Sequence, residues 1–289
     1  MTKRCSSYYT ATLTQETDYP SLEGHHRVDV VIIGGGFTGV ATAVELAEKG
    51  LSVAIVESHK IGWGATGRNG GQVTGSLSGD KAMRKQMRRT IGDDVDQFIW
   101  DLRWRGHHII KQRVERYGIS CDLKHGHLHA AYKPSHMDGL REDYEEAVRR
   151  GMGEEVALLD RNQVVNLLDS DLYHGAVKNM RNMHLHPLNL CIGEARAAES
   201  LGALIFENSE VLEIILLPAL ELLVVGSMPA KCCLLATSTT DSNRASSVGR
   251  FFQLWAGSLL PRRWEIWHGK STVKTWLFMI VDSYSTTTA

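Results

Sequence analysis

The stretch Val28-Asp29-Val30-Val31-Ile32-Ile33-Gly34-Gly35-Gly36-Phe37-Thr38-Gly39 carries an apolar strand directly into G-x-G-x-x-G. Glycine triplets at this spacing are common in turns, so the surroundings decide the reading. Ala43 follows four residues after Gly39, Gly50 ends the next helix, Val53 opens a second apolar run, and Glu57 closes it. Strand, turn, helix, strand and acid in that order are the pattern of a dinucleotide-binding unit.

Each residue type has a physical task. Gly34 permits the tight turn, and Gly36, without a side chain, lets a pyrophosphate approach the backbone. Gly39 and Ala43 let the helix pack closely on the strands. The helix that opens at Phe37 and Thr38 turns its first N–H groups and the positive end of its dipole toward phosphate. Glu57 can accept from ribose hydroxyls and would repel a 2′-phosphate, which argues against NADP.

A glycine-rich loop, Ile61-Gly62-Trp63-Gly64-Ala65-Thr66-Gly67-Arg68-Asn69-Gly70-Gly71-Gln72, follows the second strand almost at once. A nicotinamide-binding unit would ordinarily continue into another helix and strand. Small residues here allow close backbone approach, and Arg68 can neutralise phosphate.

On these motifs the chain from about Tyr8 to Ala236 resembles the FAD-dependent oxidases of the D-amino-acid oxidase superfamily, in particular the gamma-glutamylputrescine oxidase type. Further matching pieces are Tyr8-Tyr9, His186-Pro187-Leu188-Asn189-Leu190, Leu201-Gly202-Ala203, and Ala230-Lys231 through Ala236-Thr237. The resemblance implies an α/β (α+β overall) fold. A Rossmann-like FAD-binding domain at 28–90 and 187–237 would interleave with a partial substrate domain of mixed sheet plus helices at 91–186. An N-terminal arm at 1–27 and an unmatched tail at 238–289 would complete the chain. The implied cofactor-binding set is Gly34, Gly36, Phe37, Thr38, Gly39, Glu57, Ala65, Thr66, Arg68, Asn69, Gly70, Gln72, Val211 and Ala236. Val211 lies where family members touch the adenine through backbone.

Composition fits a soluble enzyme. The 289 residues are enough for two domains, and a net charge of −1 gives no nucleic-acid footprint. Residues 1–8 lack the apolar core of a secretory signal. No apolar run reaches about 18 residues, because Glu213, Pro218 and Glu221 interrupt the greasy stretch from Val211 to Val225. The odd set Cys5, Cys121, Cys191, Cys232 and Cys233 contains no C-x-x-C, so free thiols and a cytoplasmic, reducing compartment are expected.

Periodicity places a long helix over Gly92–Tyr117, with Asp93 as N-cap and Gly118 as stop. It places strands at Ser120–Leu123 and His127–Tyr132 around a turn at Gly126. A charged helix capped by Ser135 runs to Arg150, and Asp160 caps a short helix over Asn162–Leu168. A helix follows at Pro187–Ser200, with proline in its first turn, then strands at Ala203–Phe206 and Ser209–Ile214. His125, His127 and His129 alternate, as do His184 and His186, but no carboxylate or cysteine stands at a diagnostic offset, so no metal site is expected. Trp100 and Trp104, four apart on the long helix, read as packing residues.

After Thr237 the family pattern stops. Ser238-Thr239-Thr240-Asp241-Ser242-Asn243, a run with Trp255, Trp264, Trp267 and Trp276, and a Ser/Thr end take its place. This shift predicts a truncated or altered C-terminus, incomplete walls around the flavin, and a weak or inactive oxidase. For an intact relative, the resemblance implies oxidation of a small-molecule amine at its C–N bond. Hydride would pass to the flavin, the imine would hydrolyse, and oxygen would be reduced to hydrogen peroxide. The alternatives are a dehydrogenase that passes electrons to a quinone or protein, and an inactive remnant. No catalytic residue, membrane partner or oligomeric state is read from the sequence.

Overall fold

Consecutive side chains of a strand point to opposite faces, so a strand that is apolar at every position needs cover on both sides. That condition organises the first half of the chain. The computed structural model describes Arg4 and residues 6–75, 80–216, 222–226 and 233–236. Its helices are α1 (Tyr8–Ala11), α2 (Phe37–Glu48), α3 (Asp80–Ile91), α4 (Val95–Arg116), α5 (His136–Arg149), α6 (Arg161–Leu168) and α7 (Pro187–Ser200). Its strands are β1 (His25–Val28), β2 (Val30–Ile33), β3 (Val53–Val56), β4 (Gln72–Val73), β5 (Lys124–Ala130), β6 (Val156–Asp160), β7 (Gly175–His184), β8 (Leu204–Phe206), β9 (Val211–Leu216), β10 (Leu222–Gly226) and β11 (Cys233–Ala236).

The chain divides into two compact units. Of the described residues, the first takes those up to Asn69, Tyr117–Ile119, and those from Pro187 onward. In it β2, β3 and β8 form a parallel sheet in the order β2-β3-β8. Ile32, Val53, Ile55 and Ile205 face α2 and α7 in one core, with Val40, Val44, Leu188, Cys191 and Ala195. Val31, Ala54, Val56 and Phe206 face the other way, with Leu22 and Val28. The strand period of two thus divides each strand between two cores. Burying side chains of this size contributes about 1.5–3 kcal/mol each. A second sheet runs β1-β11-β10-β9, with β1 parallel to β11 and the other pairs antiparallel.

The second unit takes Gly70–Arg116 and Ser120–His186. Here β7 is the central strand. It pairs antiparallel with β5 along one side, and with β4 and then β6 along the other. Leu140 of α5 is buried against Val177 of β7, and Val164 of α6 against Leu159 and Ala176. Trp100 and Trp104 pack edge-on, 5.8 Å apart between ring centroids, against Ala147, Met152 and Val156. They are packing residues, as their spacing predicts.

Several local expectations are corrected. Gly92–Asp94 forms a separate 3₁₀ turn, so Asp93 is not the N-cap of α4. Of the two strands expected around Gly126, Ser120–Leu123 does not form, and the other begins earlier, so that β5 (Lys124–Ala130) runs straight through Gly126. Gly126 sits inside it at φ +107°, where the register on β7 jumps. Gly126 supplies a positive φ opposite the excess residues of β7 rather than in a turn. Ser135 stands at the head of α5, but its side chain makes no capping bond. Asp160 does cap α6, in a full capping box with Gln163, and α7 has the expected bounds. The stretch after Thr237 lies outside the described residues.

Candidate nucleotide-binding site

The turn between β2 and α2 is set by backbone contacts. Gly34 takes φ +101° and donates to Val56 O at 2.9 Å, which ties the turn to β3. A Cβ on Gly39 would lie 2.0 Å from Gly34 O, so the helix approaches the turn as only glycine allows. Gly62 N donates to Gly35 O at 2.9 Å, bringing the glycine-rich loop onto the same turn. Within that loop a Cβ on Gly67 would lie 2.6 Å from Gly62 O. Leu188 and Cys191 of α7 pack below, where a Cβ on Gly62 would meet Leu188 Cδ1 at 2.7 Å.

These elements leave a cleft of about 260 Å³, lined by Gly34, Gly36, Phe37, Thr38, Gly39, Ala65, Thr66 and Asn69. The first N–H groups of a helix have no partner within it. Thr66 Oγ1 accepts from Phe37 N at 3.1 Å, and Gly36 caps α2 without any side chain. Asn69 Nδ2 donates to Thr66 O at 2.8 Å, which fixes the amide at the rim. Arg68 is not among the lining residues. Its Nε donates to Gly64 O at 3.1 Å, and its guanidinium carbon lies 5.0 Å from the centroid of the Trp63 ring. His59 stacks on the same ring, 4.0 Å away.

Glu57 stands at the end of β3 with its carboxylate turned to the turn. Its Oε2 accepts from Gly35 N at 2.6 Å, and its Oε1 accepts from His59 N at 2.8 Å. Ser58 Oγ also donates to Oε1 at 3.2 Å; an ionised carboxylate has roughly four acceptor sites, so capacity remains for a ribose hydroxyl. Gly70 and Gln72 belong to the second unit, where Gln72 opens β4 opposite His184. Val211 opens β9 and packs on the Leu22–Val28–Phe206 core. Ala236 ends β11 in register with Val28.

Sequence reasoning missed the acid beside this site. Glu207 is fully buried. It accepts from Ile61 N at 2.7 Å, Lys60 Nζ at 2.9 Å, Thr17 Oγ1 at 2.5 Å and Tyr19 N at 3.2 Å. Arg4 donates to Thr17 Oγ1 at 3.1 Å and to Ile61 O. Burial alone pulls the Lys60 ammonium down, but its bonds and charge contacts to Glu207 and Asp18 outweigh that and raise it. A glutamate directly after the apolar run Leu204–Phe206 was the available signal. Beside Tyr19, burial and then Glu199 push the phenol up.

The histidines of β5 do not form a common centre. His125 and His129 are exposed and His127 is half-buried, and the register jump falls between His125 and His127. Among the described residues no three metal-ligating side chains converge. No described helix is long and apolar enough to cross a membrane. Cys121 and Cys191 are buried and form no disulfide.

The donor set fits a dinucleotide: an open helix N-terminus, a side-chain-free approach at Gly36, and a carboxylate at the end of the second strand. Comparison with known proteins agrees. The model of the FAD dependent oxidoreductase (DAO) family matches residues 29–238. Gamma-glutamylputrescine oxidoreductase of Escherichia coli (strain K12) is 37% identical over 214 residues, covering 74% of this chain and 49% of that protein. Among solved structures, glycine oxidase from Geobacillus kaustophilus superposes with a TM-score of 0.53 at 25% identity, covering 78% of this chain and 59% of that one. L-Amino acid deaminase from Proteus myxofaciens gives a TM-score of 0.59 at 22% identity, covering 76% of this chain and 46% of that one, and shares the fold. The chain spans about half the length of the curated relatives it matches. It belongs to the FAD dependent oxidoreductase family, and its cofactor is FAD.

Proposed function

We propose that the chain binds FAD at the β2–α2 turn as part of an oxidoreductase that oxidises an amine C–N bond, with oxygen as acceptor. The observation that carries this reading is the cleft closed by Gly34, Gly36, Thr38, Gly39 and Thr66, with Glu57 beside it. In the proposal the first unit is the FAD-binding domain and the second is part of the substrate domain. Backbone N–H groups at Gly36, Phe37, Thr38 and Gly39 face the pyrophosphate. Glu57 accepts from the adenosine ribose. Ala65, Thr66, Arg68 and Asn69 continue along the cofactor, and Val211 and Ala236 complete the set through backbone. When bound, FAD supplies the two-electron acceptor, and this chain's residues hold and orient it. The amine class rests on likeness to gamma-glutamylputrescine oxidoreductase.

The Gly36→Val variant tests the assignment. Gly36 has φ −82° and ψ −177°, which any residue adopts, so the variant keeps the turn and α2. It places an isopropyl group where the pyrophosphate would lie. The purified wild-type chain is expected to show the visible flavin bands, and Gly36→Val to lose them while its far-ultraviolet dichroism stays unchanged. Flavin retained by a folded Gly36→Val protein overturns the site. With flavin bound, hydrogen peroxide released from gamma-glutamylated diamines supports oxygen as acceptor. Flavin bleaching without peroxide points to a dehydrogenase.

A further inference from the structure

Trp104, His107, His108 and Lys111 fall at i, i+3, i+4 and i+7 of α4, the spacing of a single helix face. They line a cavity of about 270 Å³ in the second unit. The opposite wall comes from an irregularity in the sheet. His125 pairs with Met183 and His127 with Asn179, so two residues of β5 span four of β7. The excess on β7 is held by Asn179 Oδ1, which accepts from Arg181 N at 2.9 Å and Asn182 N at 3.2 Å. The resulting bulge turns Arg181 toward Trp104, 4.9 Å from its ring centroid, and toward Glu155. Bulges recur where a sheet re-aims a side chain.

We propose that this cavity is an oxyanion site that takes a phosphate or carboxylate group. Glu155 is the one carboxylate among the described residues of its lining, and Arg181 already engages it through Nε at 3.1 Å and its terminal nitrogen. The pair cancels, and Lys111, His108 and His125 remain as donors, with no further carboxylate among the described residues of the wall. An ammonium brings three N–H donors and a full charge. The indole N–H of Trp104, itself buried, has no acceptor among the described residues. His107 is buried, with both ring nitrogens 3.0 Å from the carbonyls of Arg103 and Val73, so it positions α4 against β4 and does not take the ligand. A wall of donors with a single engaged acceptor selects anions.

Titration calorimetry on the full chain at fixed ionic strength tests this, with inorganic phosphate in one arm and malonate in the other. Saturable binding of at least one anion is expected, and the tighter arm identifies a phosphate or a carboxylate ligand. Lys111→Ala, at an exposed helix position, should weaken it about tenfold, the loss of one charge-assisted hydrogen bond. Glu155→Gln removes the resident carboxylate and should tighten it. No saturable heat with either anion overturns the proposal. So does binding that ADP displaces and Lys111→Ala leaves unchanged, because that binding belongs to the glycine turn. Thermal melts of both variants establish that they are folded.

Discussion

The cleft at the β2–α2 turn and the cavity against α4 have nearly the same volume, about 260 and 270 Å³, and are built from opposite materials. The first is backbone and small residues. A methyl group on Gly39 would collide with Gly34 O at 2.0 Å, and Arg68, the cation nearest in sequence, lies folded on Trp63. The second is long polar side chains on one helix face and one bulge. A site made of backbone needs glycine at fixed offsets, because only glycine tolerates the approach. A site made of side chains needs certain groups in space, and many sequences supply them. The first kind therefore leaves a mark in the sequence, and the second does not.

The contrast is most exposed to failure at Glu207, where the first unit itself relies on side chains. This fully buried carboxylate accepts from Lys60, Ile61, Thr17 and Tyr19. Removing one partner of a buried pair leaves an uncompensated charge and costs about 3–5 kcal/mol. Glu207→Ala is expected to lose about that much in urea unfolding, with Glu207→Gln losing less because the amide still accepts. A loss below about 1 kcal/mol would mean that the backbone turn stands without this network.

A smaller effect sharpens the contrast from the other side. Burial lowers the His107 imidazole, against the pull of its bonds to the Arg103 and Val73 carbonyls. Burial also lowers His127, with His129 adding to it. A histidine depressed in the folded state binds fewer protons there than in the unfolded chain. Its contribution is complete above the unfolded value of about 6.5 and is lost as pH falls through the folded one. Asp143, raised chiefly by burial, has the opposite sign and acts in the carboxylate range. Unfolding free energy should therefore decline as pH drops below about 6.5, and His107→Gln should flatten that slope. A slope unchanged in His107→Gln would show that α4 is not held to β4 through this ring.

The same division explains what was legible in the chain. The Rossmann-like turn, α2, β3 and Glu57 followed from spacing, because each offset answers a backbone requirement. Asp160 and Pro187 marked helix starts for equally local reasons. The bulge opposite Gly126 was not legible as such. A positive-φ glycine between two apolar-alternating runs serves a hairpin turn or a bulge equally well, and β7, which decides between them, lies about fifty residues on. Asp93 failed as a cap because the chain enters α4 through a 3₁₀ turn. The partners of Glu207 are spread from Thr17 to Ile61, so no local pattern contains the network.

The smallest effect concerns Arg68, the residue whose charge looked best suited to a phosphate. If backbone groups hold the pyrophosphate, this guanidinium contributes little to binding. In the structure its Nε is engaged by Gly64 O and its plane rests near Trp63, while the lining of the cleft passes from Thr66 to Asn69 without it. An exposed cation over an indole is worth about 0.5–1 kcal/mol. Arg68→Ala should therefore lower flavin or ADP affinity by no more than several-fold, whereas Gly36→Val abolishes it. The ADP titration should also be only weakly salt-dependent at Arg68, since a backbone cradle carries no mobile charge to screen. A loss of about a hundredfold or more on Arg68→Ala, roughly 2.8 kcal/mol, would show that the guanidinium leaves Trp63 to reach the phosphates. The cleft would then be a side-chain site after all, and its glycines would serve the fold rather than the ligand.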